Sequence, residues 1–194
     1  MVRFVVTSLA AAMLGVAANA QSVVPVSVDN FIRAETDMYF GDFAKRGALG
    51  KFFHRRELPL ENTGVRPNRD TLYSEAVFDL DAGPVTITLP DAGQRYMALM
   101  TIDEDHYVVD VSYGKGPRTY SKDKVGTRYL FAAVRVLIDP ANPDDLKQAH
   151  ALQDAIQVQQ GAAGSGVRVD SFCLRLQPDL NQATDGLGPT DLFT

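Results

Sequence analysis

Between residues 76 and 89 the side chains change sides at every step, and no other pattern in the chain narrows the choice of fold as sharply. Ala76, Phe78 and Leu80 alternate with Val77 and Asp79; after the turn Asp81-Ala82-Gly83-Pro84, Val85, Ile87 and Leu89 alternate with Thr86 and Thr88. A period of two sends successive side chains to opposite faces of a pleated strand, so this stretch predicts half-buried strands rather than helix. Pro90-Asp91-Ala92-Gly93 supplies the next turn. Residues 96–102 and 107–111 read as further strands, and residues 129–138 form a longer apolar run with β-branched members. Closely spaced strands joined by Gly/Pro turns predict an antiparallel sheet, as in a sandwich.

Two segments carry the helical period instead. In residues 28–46, Val28, Ile32, Tyr39 and Phe43 recur near helical spacing and Phe31 and Phe40 widen the stripe, which is read as core. Ser27 or Asp29 is placed to cap this helix, and Gly47 and Gly50 to end it. Later, Asn142-Pro143-Asp144-Asp145 is a helix start: a capping amide, a proline at the first position and two acids at the positive end of the dipole. Leu146, Ala149, Leu152 and Ile156 supply its buried face. The fold class expected is therefore mainly β with added helices (α+β), an antiparallel β-sandwich-like core with an N-terminal helix and a late helix.

The N-terminus has the form of a secretory signal peptide. Arg3 precedes an apolar run from Phe4 to Ala18, and Ala18-Asn19-Ala20 is a small-x-small cleavage site, so residues 1–20 are expected to be removed before Gln21. The run is shorter than the roughly 20 apolar residues of a membrane span, and no membrane span is expected after cleavage. The expected location is periplasmic or secreted. Residues 21–160 are read as one domain, and residues 161–194, which open on Gly, Ala and Ser and then lose apolar periodicity, as a loosely ordered tail. The single cysteine, Cys173, excludes an internal disulfide, so the core must hold the fold. With 19 basic against 24 acidic residues and no basic tract, the chain is not expected to bind nucleic acid.

Polar side chains concentrate in two stretches beside predicted strands: Arg66-Pro67-Asn68-Arg69-Asp70-Thr71-Leu72-Tyr73-Ser74 and Asp103-Glu104-Asp105-His106-Tyr107. Asn, Asp and Thr in the first commonly fix a backbone turn through their own side chains. As a binding rim, the same stretch offers Arg66 and Arg69 to an anionic group and Tyr73 for stacking. In the second, three adjacent acids disfavour one another's ionisation unless a cation or an arginine lies near. Asp103, Asp105 and His106 carry donor atoms suited to a divalent metal, although on a strand His106 would point away from the two carboxylates. As a general base, His106 needs a carboxylate to orient it, and Asp70 or Asp103 can serve if the two stretches meet. Of the other histidines, His54 in its basic patch and His150 in the late helix are expected to face solvent. The chain holds no G-x-S-x-G, H-E-x-x-H, C-x-x-C or phosphate-loop motif.

At these same stretches the chain resembles the bacterial family of exported proteins called domain of unknown function 1254. The resemblance rests on Val28-Asp29-Asn30-Phe31-Ile32-Arg33-Ala34-Glu35, Asn68-Arg69-Asp70-Thr71-Leu72-Tyr73-Ser74, Gly83-Pro84-Val85-Thr86 with Leu89-Pro90, and Arg95-Tyr96. It continues in Ile102-Asp103-Glu104-Asp105-His106-Tyr107, Gly126-Thr127-Arg128-Tyr129 and Ala151-Leu152-Gln153-Asp154-Ala155, covering roughly residues 25–160. It implies a β-sandwich-like fold with helical additions and no established reaction, though some members are labelled esterases or hydrolases. Similar proteins continue with a helical region and a Gly/Trp-rich motif; this sequence has no tryptophan and departs from them from about Gly161. The function expected is an exported envelope protein that binds a small polar or anionic molecule in a pocket rimmed by Arg66, Asn68, Arg69, Asp70, Thr71, Tyr73, Arg95 and His106. The alternatives are an esterase-like hydrolase using His106 with Asp70 or Asp103, and a structural or assembly protein without a pocket. No cofactor is indicated.

Overall fold

In the computed structural model, which describes residues 26–58, 68–162 and 164, the alternating segments pair as antiparallel strands. The strands are β1 (Phe53–His54), β2 (Thr71–Asp79), β3 (Val85–Leu89), β4 (Met97–Asp103), β5 (Val108–Tyr113), β6 (Gly116–Tyr120), β7 (Tyr129–Leu137) and β8 (Gln157–Gln159). They form a five-stranded sheet in the order β1-β2-β7-β4-β5 and a three-stranded sheet in the order β6-β3-β8. Among the described residues three α-helices accompany them: α1 (Phe31–Phe43), the short α2 (Lys122–Val125) and α3 (Pro143–Asp154). The expected mainly β, sandwich-like architecture with an early and a late helix is the one found.

The five-stranded sheet packs on the smaller sheet with one face and under α1 with part of the other, and the period of two decides which side chain goes where. Leu72, Ala76 and Phe78 of β2, Leu130, Ala132, Val134 and Val136 of β7, and Met97 and Leu99 of β4 face the smaller sheet. They bury against Val85, Ile87 and Leu89 of β3, and Ala149 of α3 joins the same cluster. The intervening residues Val77, Tyr129, Phe131 and Ala133 face the other way and pack under α1 through Phe40 and Phe43. Burial on both sides explains why residues 129–134 read as an unbroken apolar run and not as an alternation.

The aromatic stripe of the first helix is only partly core. Phe40 is buried and stacks on Phe131 at 5.8 Å, and Phe43 stacks on the same ring at 4.8 Å. Val28, however, is 95% exposed, Ile32 58% and Tyr39 is also exposed. The face that meets the sheet is built from the ring of Phe40 and from Ala34, Thr36 and Gly41, small residues that let the helix approach closely. The start differs too: the capping position is Asn30, whose side-chain oxygen accepts from the backbone N–H of Ser27 at 2.7 Å. The helix continues into a π-type turn, Ala44–Ala48, with Gly47 at φ 89, a left-handed value suited to glycine.

The late helix starts as read. Asn142 accepts from the backbone N–H groups of Asp144 (3.0 Å) and Asp145 (3.3 Å), and Pro143 takes the first position. Its inner face carries Gln153, fully buried, which donates to the hydroxyl of Ser74 (3.2 Å) and the carbonyls of Tyr73 (3.1 Å) and Arg55 (3.2 Å). Among the described residues, no helix is long and apolar enough to cross a membrane. The signal segment, its cleavage site, Arg66, Cys173 and nearly all of residues 161–194 lie outside the described residues.

Candidate functional site

The two polar stretches sit at opposite ends of the five-stranded sheet. Thr71 pairs with Leu137, and Val136 beside it with Met97, whereas Asp103 pairs with Leu130, which faces Phe78. Seven residues of β2 therefore separate the two levels, about 23 Å at strand rise. Asp70 does not reach His106, and the described part of the expected rim, residues 68–74, does not meet residues 103–107.

At its own end, the first stretch spends its polar atoms on itself. The Asn68 side-chain oxygen accepts from the N–H groups of Asp70 (2.8 Å) and Thr71 (3.3 Å), and its amide donates to the Thr71 hydroxyl (3.1 Å) and the Tyr73 phenol (3.2 Å). The guanidinium of Arg135 lies over the Tyr73 ring, 5.1 Å from its centroid. Arg69 and Asp70 are exposed. Arg95 is engaged elsewhere: it donates to both oxygens of Asp145 and to the carbonyl of Leu137. The hydrogen bond from Arg95 holds the Asp145 carboxyl down at about 2.

The second stretch is a tight turn from β4 into β5. The N–H of Asp103 donates to the carbonyl of Tyr107 (3.0 Å), and that of His106 to the carbonyl of Asp103 (3.2 Å). The Asp103 carboxylate accepts from the N–H groups of Asp105 (2.9 Å) and Tyr107 (2.8 Å), so it stabilises the turn and is not aimed at His106. His106 has φ 65, the left-handed conformation that closes such a hairpin and that His adopts more readily than most non-glycine residues. The turn takes the imidazole away from the strand's alternation and towards α1.

Helix α1 supplies what this turn lacks. Arg33 reaches Glu104 (3.2 Å) and Asp105 (3.1 Å), which answers the crowding of three acids by an arginine. Burial alone would lower the Arg33 pKa, but the Asp105 hydrogen bond and the charges of Glu104, Asp105 and Asp37 raise it. Glu104 is buried and also accepts from the N–H of Tyr129 at 2.9 Å. Thr36 donates its hydroxyl proton to the carbonyl of Ile32 (2.9 Å), so its oxygen accepts from Nδ1–H of His106 at 3.0 Å. That bond assigns the tautomer and leaves Nε2 as an acceptor on the neutral ring.

Between helix and turn lies a groove of about 390 Å³, lined by Phe31, Ile32, Glu35, Asp105, His106 and Tyr107. Phe31, Ile32 and Tyr107 give it apolar walls. Glu35 forms no ion pair among the described residues, and its charge is the main cause of the raised pKa of Tyr39, with burial adding to it. No group of three or more His, Cys, Asp or Glu side chains among the described residues is placed to hold a metal ion.

Sequence reasoning named His106, Asp103 and Asp105 but missed Arg33 and Thr36, which bind Asp105 and His106, and Glu35 in the same groove. For Arg33 and Glu35 the signal lies in the stretch Val28 to Glu35, which carries part of the family resemblance; for Thr36 the sequence holds none. Two other histidines are not solvent-facing as expected. His54 is half-buried with Nδ1 2.8 Å from the Ser74 hydroxyl, and burial, with the charge of Arg56, lowers its pKa. His150 is likewise half-buried and donates from Nε2 to the carbonyl of Arg56 at 2.9 Å.

Comparison with known proteins gives a family match for part of the chain. Residues 49–124 match the model described as "Protein of unknown function (DUF1254)", so the resemblance read from the sequence is borne out over that stretch. The VPA0106 protein from Vibrio parahaemolyticus, known from a crystal structure, is similar with a TM-score of 0.52 and 20% sequence identity. The match covers 66% of this chain and 35% of that protein, so the chain spans about a third of that protein's length. The likeness is one of fold. No curated protein matches the chain.

Proposed function

Starting from a DUF1254 match over residues 49–124, we propose that this chain is an exported binding protein that takes a small, largely apolar molecule in the groove between α1 and the 103–107 turn. One observation carries the reading: two elements distant in sequence converge there, and Thr36 fixes the imidazole of His106 beside apolar walls. The groove volume of about 390 Å³ falls in the range of small-molecule sites, about 300–1,000 Å³. Binding is favoured over hydrolysis because His106 is held by a hydroxyl and not by a carboxylate, and that hydroxyl's own proton is committed to Ile32. Export is supported by the sequence pattern around Arg3 and Ala18-Asn19-Ala20. Saturation-transfer NMR with benzyl alcohol tests the groove. Saturable signal is expected, reduced by Ile32→Ser and Tyr107→Ala, both at exposed positions; a signal that these variants leave intact would refute the site.

A second reading, an assembly protein, is favoured by the half of the sheet face that α1 leaves uncovered. Phe53, Tyr96, Val111, Tyr113 and Leu137 are exposed there, Tyr113 by 62%. Strand β5 is a sheet edge without lysine or proline, and two copies of such an edge can pair about a two-fold axis. Sedimentation velocity decides it: a dimer abolished by Val111→Lys supports assembly, and a monomer at high concentration removes it.

A further inference from the structure

We infer that the ligand of this groove is an ammonium ion carrying an aromatic or branched apolar group. The inference rests on the binding reading above and names its chemical class. An apolar body is asked for by Phe31, Ile32 and Tyr107. The polar end is asked for by the acceptors in the same lining. Nδ1–H of His106 donates to the Thr36 hydroxyl, which leaves Nε2 of the neutral ring as a lone-pair acceptor. Glu35 and Asp105 are carboxylates and accept only.

Charge makes the same selection. Arg33 stands between Glu104 and Asp105, one cation against two anions. Glu35 adds a further negative charge with no ion pair among the described residues. The lining therefore carries surplus negative charge, and an anionic ligand would meet it with like charge. The cations expected to hold an anion are not at this groove: Arg95 is bound to Asp145, and the 68–74 stretch lies at the opposite end of the sheet. An ammonium ion relieves the charge on Glu35, donates to it and to Nε2, and is attracted to the faces of Phe31 and Tyr107.

Three probes of one shape and different charge test the inference: benzylamine, benzyl alcohol and benzoate, each titrated into the full chain at pH 7 and followed by NMR. Benzylamine is expected to bind roughly tenfold tighter than benzyl alcohol, with benzoate weakest. Glu35→Gln is expected to abolish that preference, whereas Asp123→Asn, an equal change of charge on α2, retains it; melting curves check that both variants fold. Equal binding of amine and alcohol, or a preference that survives Glu35→Gln, overturns the ammonium inference and leaves the groove standing. No saturable binding of any of the three overturns the groove as well.

Discussion

The 68–74 stretch and the 103–107 turn both crowd polar side chains at a strand end, and both match the same family pattern, yet they differ in what stands opposite them. Asn68 closes its own turn and ties Thr71 and Tyr73 to it, so the polar atoms there are consumed locally. At the other end, the turn uses Asp103 to hold itself and presents Glu104, Asp105 and His106 to a helix from elsewhere in the chain. A polar stretch becomes a site when a second element meets it and leaves room between. Composition does not separate the two cases; tertiary placement does.

The sharpest way to break this contrast is to undock the helix. Phe40→Ala removes the buried ring that stacks on Phe131 and should destabilise the protein by about 3–5 kcal/mol, read by urea denaturation. A loss near zero would mean that α1 is not held as described. Next in size is Glu104→Ala, which strips partners from Arg33 and from the N–H of Tyr129; a cost of about 1–3 kcal/mol is expected. Asn68→Ala should cost only about 1 kcal/mol and leave groove binding as it was, since its bonds serve one local turn.

The smallest effect is electrostatic. The Arg95 hydrogen bond depresses the Asp145 carboxyl to about 2, below its unfolded value near 3.9. A depressed folded value stabilises the protein above the unfolded pKa, and that contribution is lost as pH falls through about 2. Asp145→Asn should therefore melt below the parent protein at pH 7 and converge with it near pH 2. A gap that widens in acid would contradict the assigned partner.

Much of the fold was legible because its signals are local. Alternation in residues 76–89 needs only the pleat, and Asn142-Pro143 needs only the first helical turn. The exposure of Val28, Ile32 and Tyr39 was not legible, because helical spacing gives the faces of a helix but not which face meets the sheet; here small Ala34, Thr36 and Gly41 take it. His106 was named from residue type alone. Its partner Thr36 lies 70 residues earlier, and the opposite placement of Asp70 follows from the register of β2, β7 and β4, which no single segment encodes.

The central claim, that ligand binding belongs to the helix-covered end of the sheet and not to the 68–74 end, can be read in one titration. Backbone amide shifts of the isotope-labelled chain are recorded while benzylamine is added. The account predicts saturable shifts confined to residues 31–35 and 105–107, with Thr71 and Tyr73 unmoved. Shifts centred on residues 68–74, or none that saturate, would contradict it.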